Sequence, residues 1–567
     1  MKQARWLTLG LAASLVMPIA GAQSAVSATE KTGFDSITVD ELKTDLTYIA
    51  SDALEGRMSL QPGDEKAIHW IEEEFRKAGL QPAAKDADGK PSYLQPFTLV
   101  EFRPDRANTS VTLKRDGTSV VWEAPKAYVG YKHAVDVTAP VVFAGFGITA
   151  PEFGYDDYKN IDAKGKIVLL FDHEPQEDDP KSRFNGTGNT RYATTRVKVL
   201  NAQRHGAVAV LIVPEPNRKH LTNAERAAKI GGSITRSKPL PYQSIAEDEV
   251  TIPSGLVNDA VAKELFAKAG VTPSEAQTAI DRDLTPQSRV LPDTVLTLHS
   301  RNLYEHEGVT YNVVALLPGS DPKLAAETIL ISAHHDHDGM TECADPAHPP
   351  VEVPADPHPC PQIWHGADDN GSGTVGVVAL ARAFAENPAK PKRSILFSVF
   401  ASEERGLLGA YWMAAHPLRP LATTKAQINF DMIGRDEAAS PQTDGLIQIP
   451  KDTTNRLNLI GAYYSPEYAR EVKDENKAVG LVLDDRFDHE TALNVLFRSD
   501  QFPFLLHDIP AFWWFTGFHP DYHHTTDTVE KIDFVKMRKI LELAYLSGWR
   551  FASEAKTPVF TPTIPMK

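Results

Sequence analysis

Cysteine is nearly absent: the 567 residues contain two, Cys343 and Cys360. That excludes a disulfide framework and leaves room for one bridge at most. The pair lies in a Pro-, His- and Asp-rich segment beside His348 and His358, so two readings stand. A disulfide would close a short loop and contribute about 3 kcal/mol in a chain-entropy account. A zinc site would recruit the two histidines instead. No C-x-x-C spacing is present, which favours the disulfide. Positive charge is scarce as well, with 59 Lys and Arg against 75 Asp and Glu and a net charge of −16. Such a surface argues against a nucleic-acid backbone as partner. Long apolar runs are missing beyond the N-terminus, and no later stretch approaches the roughly 20 residues that span a bilayer.

What is present begins with Lys2 and Arg5, an apolar core from Trp6 to Ala20 interrupted by Pro18, and then Ala20-Gly21-Ala22. This is the pattern of a secretory signal. The expectation is a soluble chain from about Gln23, exported to a periplasm or out of the cell, with no membrane association once residues 1–22 are removed. No Cys near the cut signals a lipid anchor.

The length exceeds one compact core. Asp40 to Leu60 reads as a helix running into an irregular stretch. Asp64 to Leu80 is a clearer helix, with Ala67, Ile68, Ile71 and Phe75 at helical spacing and Asp64 expected to cap its start. From about Arg103 to Arg289 the texture turns to short β-rich runs, such as Pro140 to Ile148, Lys166 to Phe171 and Ala207 to Val213, with a helix over Arg191 to His205. No nucleophile and base cluster there, so this region reads as structural or substrate-gating. Asn312 onward alternates strands and helices and ends in an amphipathic helix from Asp533 to Ala552. The fold class expected is α/β, with a mixed, mostly parallel central sheet flanked by helices and a β-rich insert.

Five stretches carry the chemistry. Thr328 to Ala333 leads into His334-His335-Asp336-His337. A loop gives Asp368-Asp369-Asn370. Ser394 to Phe400, without a charge, leads to Ser402-Glu403-Glu404. The Gln427 strand ends in Asp431, and beyond Pro510 to Thr516 lies His519-Pro520-Asp521-Tyr522-His523-His524. Each alone is more often ordinary surface. Together, four at strand ends and one on a loop between, they converge imidazoles and carboxylates at the mouth of one sheet, a donor set that suits zinc. There are more donors than one tetrahedral ion uses, which points to two ions sharing a carboxylate.

In order, SAHHDH, GADDNGSG, ASEERGLLG, NFDMIG and DYHHTTDT resemble the motifs of the secreted di-zinc aminopeptidases, a family that includes glutamate carboxypeptidase and the transferrin receptor. The resemblance covers SDALEGR (Ser51 to Arg57) through Gln95 and again Asn312 to the end. GYDDYKNIDAKGKIVLL (Gly154 to Leu170) resembles the protease-associated (PA) domain often inserted in that family. The implied organisation is a catalytic domain in two parts, residues 23–102 and 296–567, around a PA insert at 103–295. The resemblance implies two zinc ions, with cobalt or manganese as substitutes, and peptide substrates; it sets no oligomeric state. It makes Asp369 the bridging carboxylate, His334 and Asp431 ligands of one ion, and Glu404 and His523 ligands of the other. Glu403 is the implied general base, and Asp336 the carboxylate that orients His334. His523 is preferred over His524 because its spacing to Asp527 matches, and His335 and His337 read as pocket or hydrogen-bonding residues. The implied activity is that of an aminopeptidase. A carboxypeptidase of the glutamate carboxypeptidase type is the alternative, with Arg498 as its candidate carboxylate clamp, and a non-catalytic receptor-like role is weakened by the complete ligand set.

Overall fold

Ser394–Phe400 is buried at every residue and lies inside a ten-stranded sheet. A strand covered on both faces needs no polar alternation, which is why this one carries no charge. In the computed structural model, which describes residues 26–222, 225, 240–341, 361–443 and 445–562, it runs parallel to Thr328–His334. Thr424–Phe430 and Ala511–Phe515 continue the parallel set. Four neighbouring strands therefore finish at one edge of the sheet. The flanks turn antiparallel, with Asn302–Leu317 against Ser394–Phe400 on one side and Arg456–Ile460 against Ala511–Phe515 on the other.

Both faces are closed. Val39–Ile49, Pro62–Lys77, Gly373–Glu386 and Phe534–Ser553 cover one face through residues such as Leu46, Phe75, Phe384 and Tyr545. Leu408–Ala415 and Gln501–Leu505 cover the other, packing Met413 and Phe504 against Leu330 and Phe400. The last helix buries Met537, Ile540, Leu541, Ala544 and Tyr545 as its periodicity predicts, and Asp533 caps it by accepting from Val535 N and Lys536 N.

Asp64 does not cap its helix. Pro62 occupies the first turn and the helix begins there, leaving Asp64 inside it and fully buried. Its carboxylate accepts instead from His335 Nδ1 at 2.7 Å.

The chain leaves the large sheet after Leu94–Pro104 and returns with Asn302–Leu317, which pair antiparallel. Between them a second sheet of eight strands forms. Val135–Phe143, Ile167–Phe171, Ala209–Val213 and Ser254–Val257 are parallel neighbours within it, with Arg289–Ser300 antiparallel beside them. Tyr242–Ile245 leaves this sheet and adds to the large one by pairing with Leu94–Pro104.

The strand expected over Pro140 to Ile148 stops at Phe143. Gly145 turns to φ 49°, where an added Cβ would meet Asp157 Oδ1 at 2.1 Å. The Asp157 carboxylate draws this turn in by accepting from Phe146 N and Ile148 N, both at 3.0 Å. The helix expected from Arg191 starts later, at Thr195, because Thr194 accepts from Val197 N and caps it. The signal segment, residues 1–22, and both cysteines lie outside the described residues.

Candidate metal centre

The common edge of the parallel strands collects the side chains singled out in the sequence. His334 ends its strand, Glu403 and Glu404 follow Phe400, Asp431 follows Phe430, and His523 lies beyond Phe515. Asp369 comes from the irregular helical turn Ala367–Ser372 that opens Gly373–Glu386. Ser402, at φ 57°, bends the chain sharply so that the next two glutamates turn back over the edge.

Two groups of donors result. His334 Nε2 is 3.6 Å from Asp431 Oδ1, 3.7 Å from Glu403 Oε2 and 3.6 Å from Asp369 Oδ1. His523 Nε2 is 3.2 Å from Glu404 Oε2 and 3.1 Å from Asp369 Oδ2. Each oxygen of Asp369 thus faces a different group. Both Nε2 atoms are buried and meet no acceptor at hydrogen-bonding geometry. Buried imidazole nitrogens without partners, facing carboxylate oxygens, are what a cation would satisfy. Four buried carboxylates around two imidazoles also leave negative charge that a low-dielectric site cannot hold without a counter-charge. The residues fit divalent metal.

The electrostatics follow from this crowding. Burial, reinforced by Asp431 and Glu404, pushes the Glu403 carboxyl well above the usual range, with His334 opposing. Burial pushes Glu404 up too, but His523 and His337 outweigh it and hold Glu404 well below the usual range. His337 Nδ1 lies 2.6 Å from Glu404 Oε1. It also stands 3.9 Å from Asp369 Oδ2, so with Asp369 and Glu404 it forms a group of donors that could hold an ion, which the sequence reading did not give it.

Asp336 stands beside His334 as expected and does more than orient that ring. The atom nearest His334 Nδ1 is the backbone carbonyl of Asp336 at 3.2 Å; its Oδ1 is farther, at 3.7 Å. The carboxylate also accepts from Glu403 N at 2.9 Å and Glu404 N at 3.2 Å. It holds the turn that presents the two glutamates.

Other positioning residues were not given roles by the sequence. Asp338 Oδ2 lies 3.3 Å from His523 Nδ1, and Arg405 pairs with Asp338 on its other oxygen. Asp527 Oδ2 accepts from Asp368 N at 2.9 Å and Asp369 N at 3.1 Å, fixing the turn that carries Asp369. Arg57, fully buried, donates to the carbonyls of Ile49, His335, His365 and Gly366. An acidic residue four places after His334 was the available signal for Asp338; nothing local marked the Arg57 contacts. His524 turns away, with Nδ1 2.7 Å from the Tyr522 carbonyl, so His523 is the imidazole at the centre.

A cavity of about 270 Å³ opens on Glu403, Glu404 and Asp431. Its outer wall includes Phe497, Trp513, Phe518 and Tyr522, with Arg498 among them. The guanidinium of Arg498 lies over the Phe518 ring at 5.0 Å.

Residues 312–546 match the sequence model of Peptidase family M28, and residues 137–265 that of the PA domain. A probable zinc metalloprotease of Pyrenophora teres f. teres is 38% identical over 112 residues, 18% of this chain and 24% of that protein. Leucine aminopeptidase 2 of Trichophyton rubrum is 28% identical over 224 residues, 39% of this chain and 36% of that protein. The chain therefore spans well under half the length of these curated relatives. Among solved structures, an aminopeptidase from Aneurinibacillus sp. strain AM-1 aligns over 93% of this chain and 97% of its own, at 17% identity and a TM-score of 0.48. A zinc aminopeptidase from Bacillus subtilis aligns over 93% and 98%, at 18% identity and a TM-score of 0.41.

Proposed function

We propose that this chain, which belongs to peptidase family M28 and carries a PA domain within its catalytic domain, is an exported zinc aminopeptidase that binds two ions. The observation that carries the reading is the division of one carboxylate, with Asp369 Oδ1 toward His334 and Oδ2 toward His523. One ion would be held by His334, Asp431 and Asp369, the other by His523, Glu404 and Asp369. Zinc suits these nitrogen and oxygen donors; cobalt and manganese suit them too. When bound, the ions supply Lewis acidity that polarises the scissile carbonyl and acidifies water.

The chain's own groups do the rest. Glu403 takes a proton from the attacking water on its carboxylate and returns it to the leaving amine. Asp336 keeps Glu403 and Glu404 divergent, one toward each donor group, through their backbone amides. The aromatic wall of the cavity suits a large apolar side chain at the substrate's N-terminal position. The terminal amine meets the surplus of carboxylates beside it.

Arg498 supports the second reading. A guanidinium on the cavity wall is where a carboxypeptidase would grip a substrate's terminal carboxylate. The deciding experiment counts metal on the purified chain and compares peptides with free or acetylated N-termini and free or amidated C-termini. Two zincs per chain at the sheet edge, counted as the difference from a His334→Gln/His523→Gln chain, with cleavage lost on acetylation and kept on amidation, is the expected result. Loss on amidation instead moves the assignment to a carboxypeptidase, and no cleavage of any peptide overturns both. Export rests on the residue pattern from Lys2 to Ala22; fractionation of expressing cells, with N-terminal sequencing of the mature chain, tests it.

A further inference from the structure

A second group of buried imidazoles and carboxylates lies in the PA insert, far along the chain from the peptidase motifs. His173, Glu177, Glu215 and His220 converge so that one ligand atom from each lies within 4.8 Å of all the others. The strands Ile167–Phe171 and Ala209–Val213 are parallel and in register, with Phe171 opposite Val213. His173 and Glu177 come from the loop after the first, Glu215 and His220 from the loop after the second. The cluster thus sits at the carboxyl ends of parallel strands, where α/β sheets bind ligands.

The distances suit one small ion. His173 Nδ1 is 2.6 Å from Glu177 Oε1 and 3.6 Å from Glu215 Oε1. His220 Nε2 is 2.9 Å from Glu177 Oε2 and 3.5 Å from Glu215 Oε1. Ligand atoms about 2.0 Å from a tetrahedral zinc stand ~3.3 Å apart; the spacings are near that, and the two rings, stacked at 14° with centroids 4.3 Å apart, must tilt for both nitrogens to reach one ion. All four side chains are at least nine-tenths buried. Glu215 Oε1 and His220 Nε2 have no partner at hydrogen-bonding geometry, the same condition found at His334 and His523. His220 Nδ1 lies 3.0 Å from the Leu221 carbonyl. Donating there leaves the lone pair on Nε2, directed into the cluster. The glutamates favour the protonated form of both rings; an ion must displace those protons, and it then cancels the charge of the two buried carboxylates.

We propose that the insert holds its own structural zinc, bound by His173, Glu177, Glu215 and His220. Four protein ligands leave no open position, so this ion does not act on substrate. It ties the two loops together, and one of them reaches the peptidase part. Glu174, next to His173, accepts from Thr190 N at 2.9 Å, and the adjacent Asn189 donates to Asn494 Oδ1 at 2.7 Å. An ion here steadies the seating of the insert beside the catalytic edge.

The test is metal content of the full chain purified without chelator, against the double variant Glu215→Gln/His220→Gln. The variant is expected to carry one zinc per chain fewer, with hydrolysis per molecule unchanged. An equal metal content overturns the proposal. Should that variant fail to fold, a chain with His334→Gln and His523→Gln is loaded with cobalt. The proposal expects one retained ion with the strong visible absorption of tetrahedral cobalt; no retained ion, or the weak spectrum of an octahedral one, overturns it. Because the comparison is a difference at the insert, it stands or falls separately from the count at the catalytic edge.

Discussion

Asp338 Oδ2 stands 3.3 Å from His523 Nδ1, on the side of the imidazole away from Asp369 and Glu404. A carboxylate in that position fixes the ring's tautomer and leaves Nε2 free toward the donor group. Asp338→Asn keeps the shape and weakens that hold. The expected outcome is a 10–100-fold loss of zinc affinity for one ion, with near-normal turnover at saturating zinc. Competition against a chelator of known affinity measures it. Equal affinities would show that Asp338 serves only its pairing with Arg405.

Glu403 is proposed as the base, although its oxygen stands with His334 and Asp431 in a group that could itself hold an ion. Glu403→Gln is expected to lower hydrolysis by about 10²–10⁴-fold, with the metal content unchanged. Loss of metal in step with activity would make Glu403 a ligand and sink its assignment as base.

Arg57 joins two parts of the centre, because the carbonyls it binds belong to His335, His365 and Gly366 as well as Ile49. A lysine keeps the charge but cannot reproduce the guanidinium's forked donors. Arg57→Lys should destabilise the chain by about 2–4 kcal/mol through buried carbonyls left unpaired, and should speed zinc loss. Urea unfolding and zinc retention test both. A change in unfolding below ~0.5 kcal/mol, within the range of a surface substitution, would show that the fork is dispensable.

Asp157, in the insert, supplies a pH dependence remote from the metal centre. Burial pushes its carboxyl up to about 7, although it accepts from two amides and from the Tyr155 hydroxyl. An unfolded aspartate titrates near ~4, so folding takes up a proton between about pH 4 and pH 7. This group's contribution is most favourable below that window and falls as pH rises through it. Asp157→Asn should remove that slope, which is on the order of a few kcal/mol. Unfolding of both chains at pH 5 and pH 8 checks it: wild type should lose more stability than the variant, and equal losses would assign the proton elsewhere.

The candidate metal centre was largely legible before the structure because its strands are local signals. Uncharged, fully buried runs such as Ser394–Phe400 announce central strands, and the functional side chain follows the last strand residue within a few places. The preference for His523 over His524 also came from spacing, and the ring directions agree with it. Asp64 went the other way. At a helix start an aspartate reads as a cap, but a buried imidazole 271 residues away claims it. The two amide contacts of Asp336, beyond its place beside His334, were not legible because they depend on how the turn after Phe400 folds back.

Local order of residues therefore determined which elements form and which residue types stand at their ends, since strand burial and helical periodicity are written within a few neighbouring positions. Tertiary structure alone decided how those ends meet. The two oxygens of Asp369 divide between His334 and His523 only once four strands align in register, and His173 finds Glu215 only because Phe171 pairs beside Val213. Register is a cooperative property of whole sheets, set by which faces must be buried together. No single stretch of residues carries it.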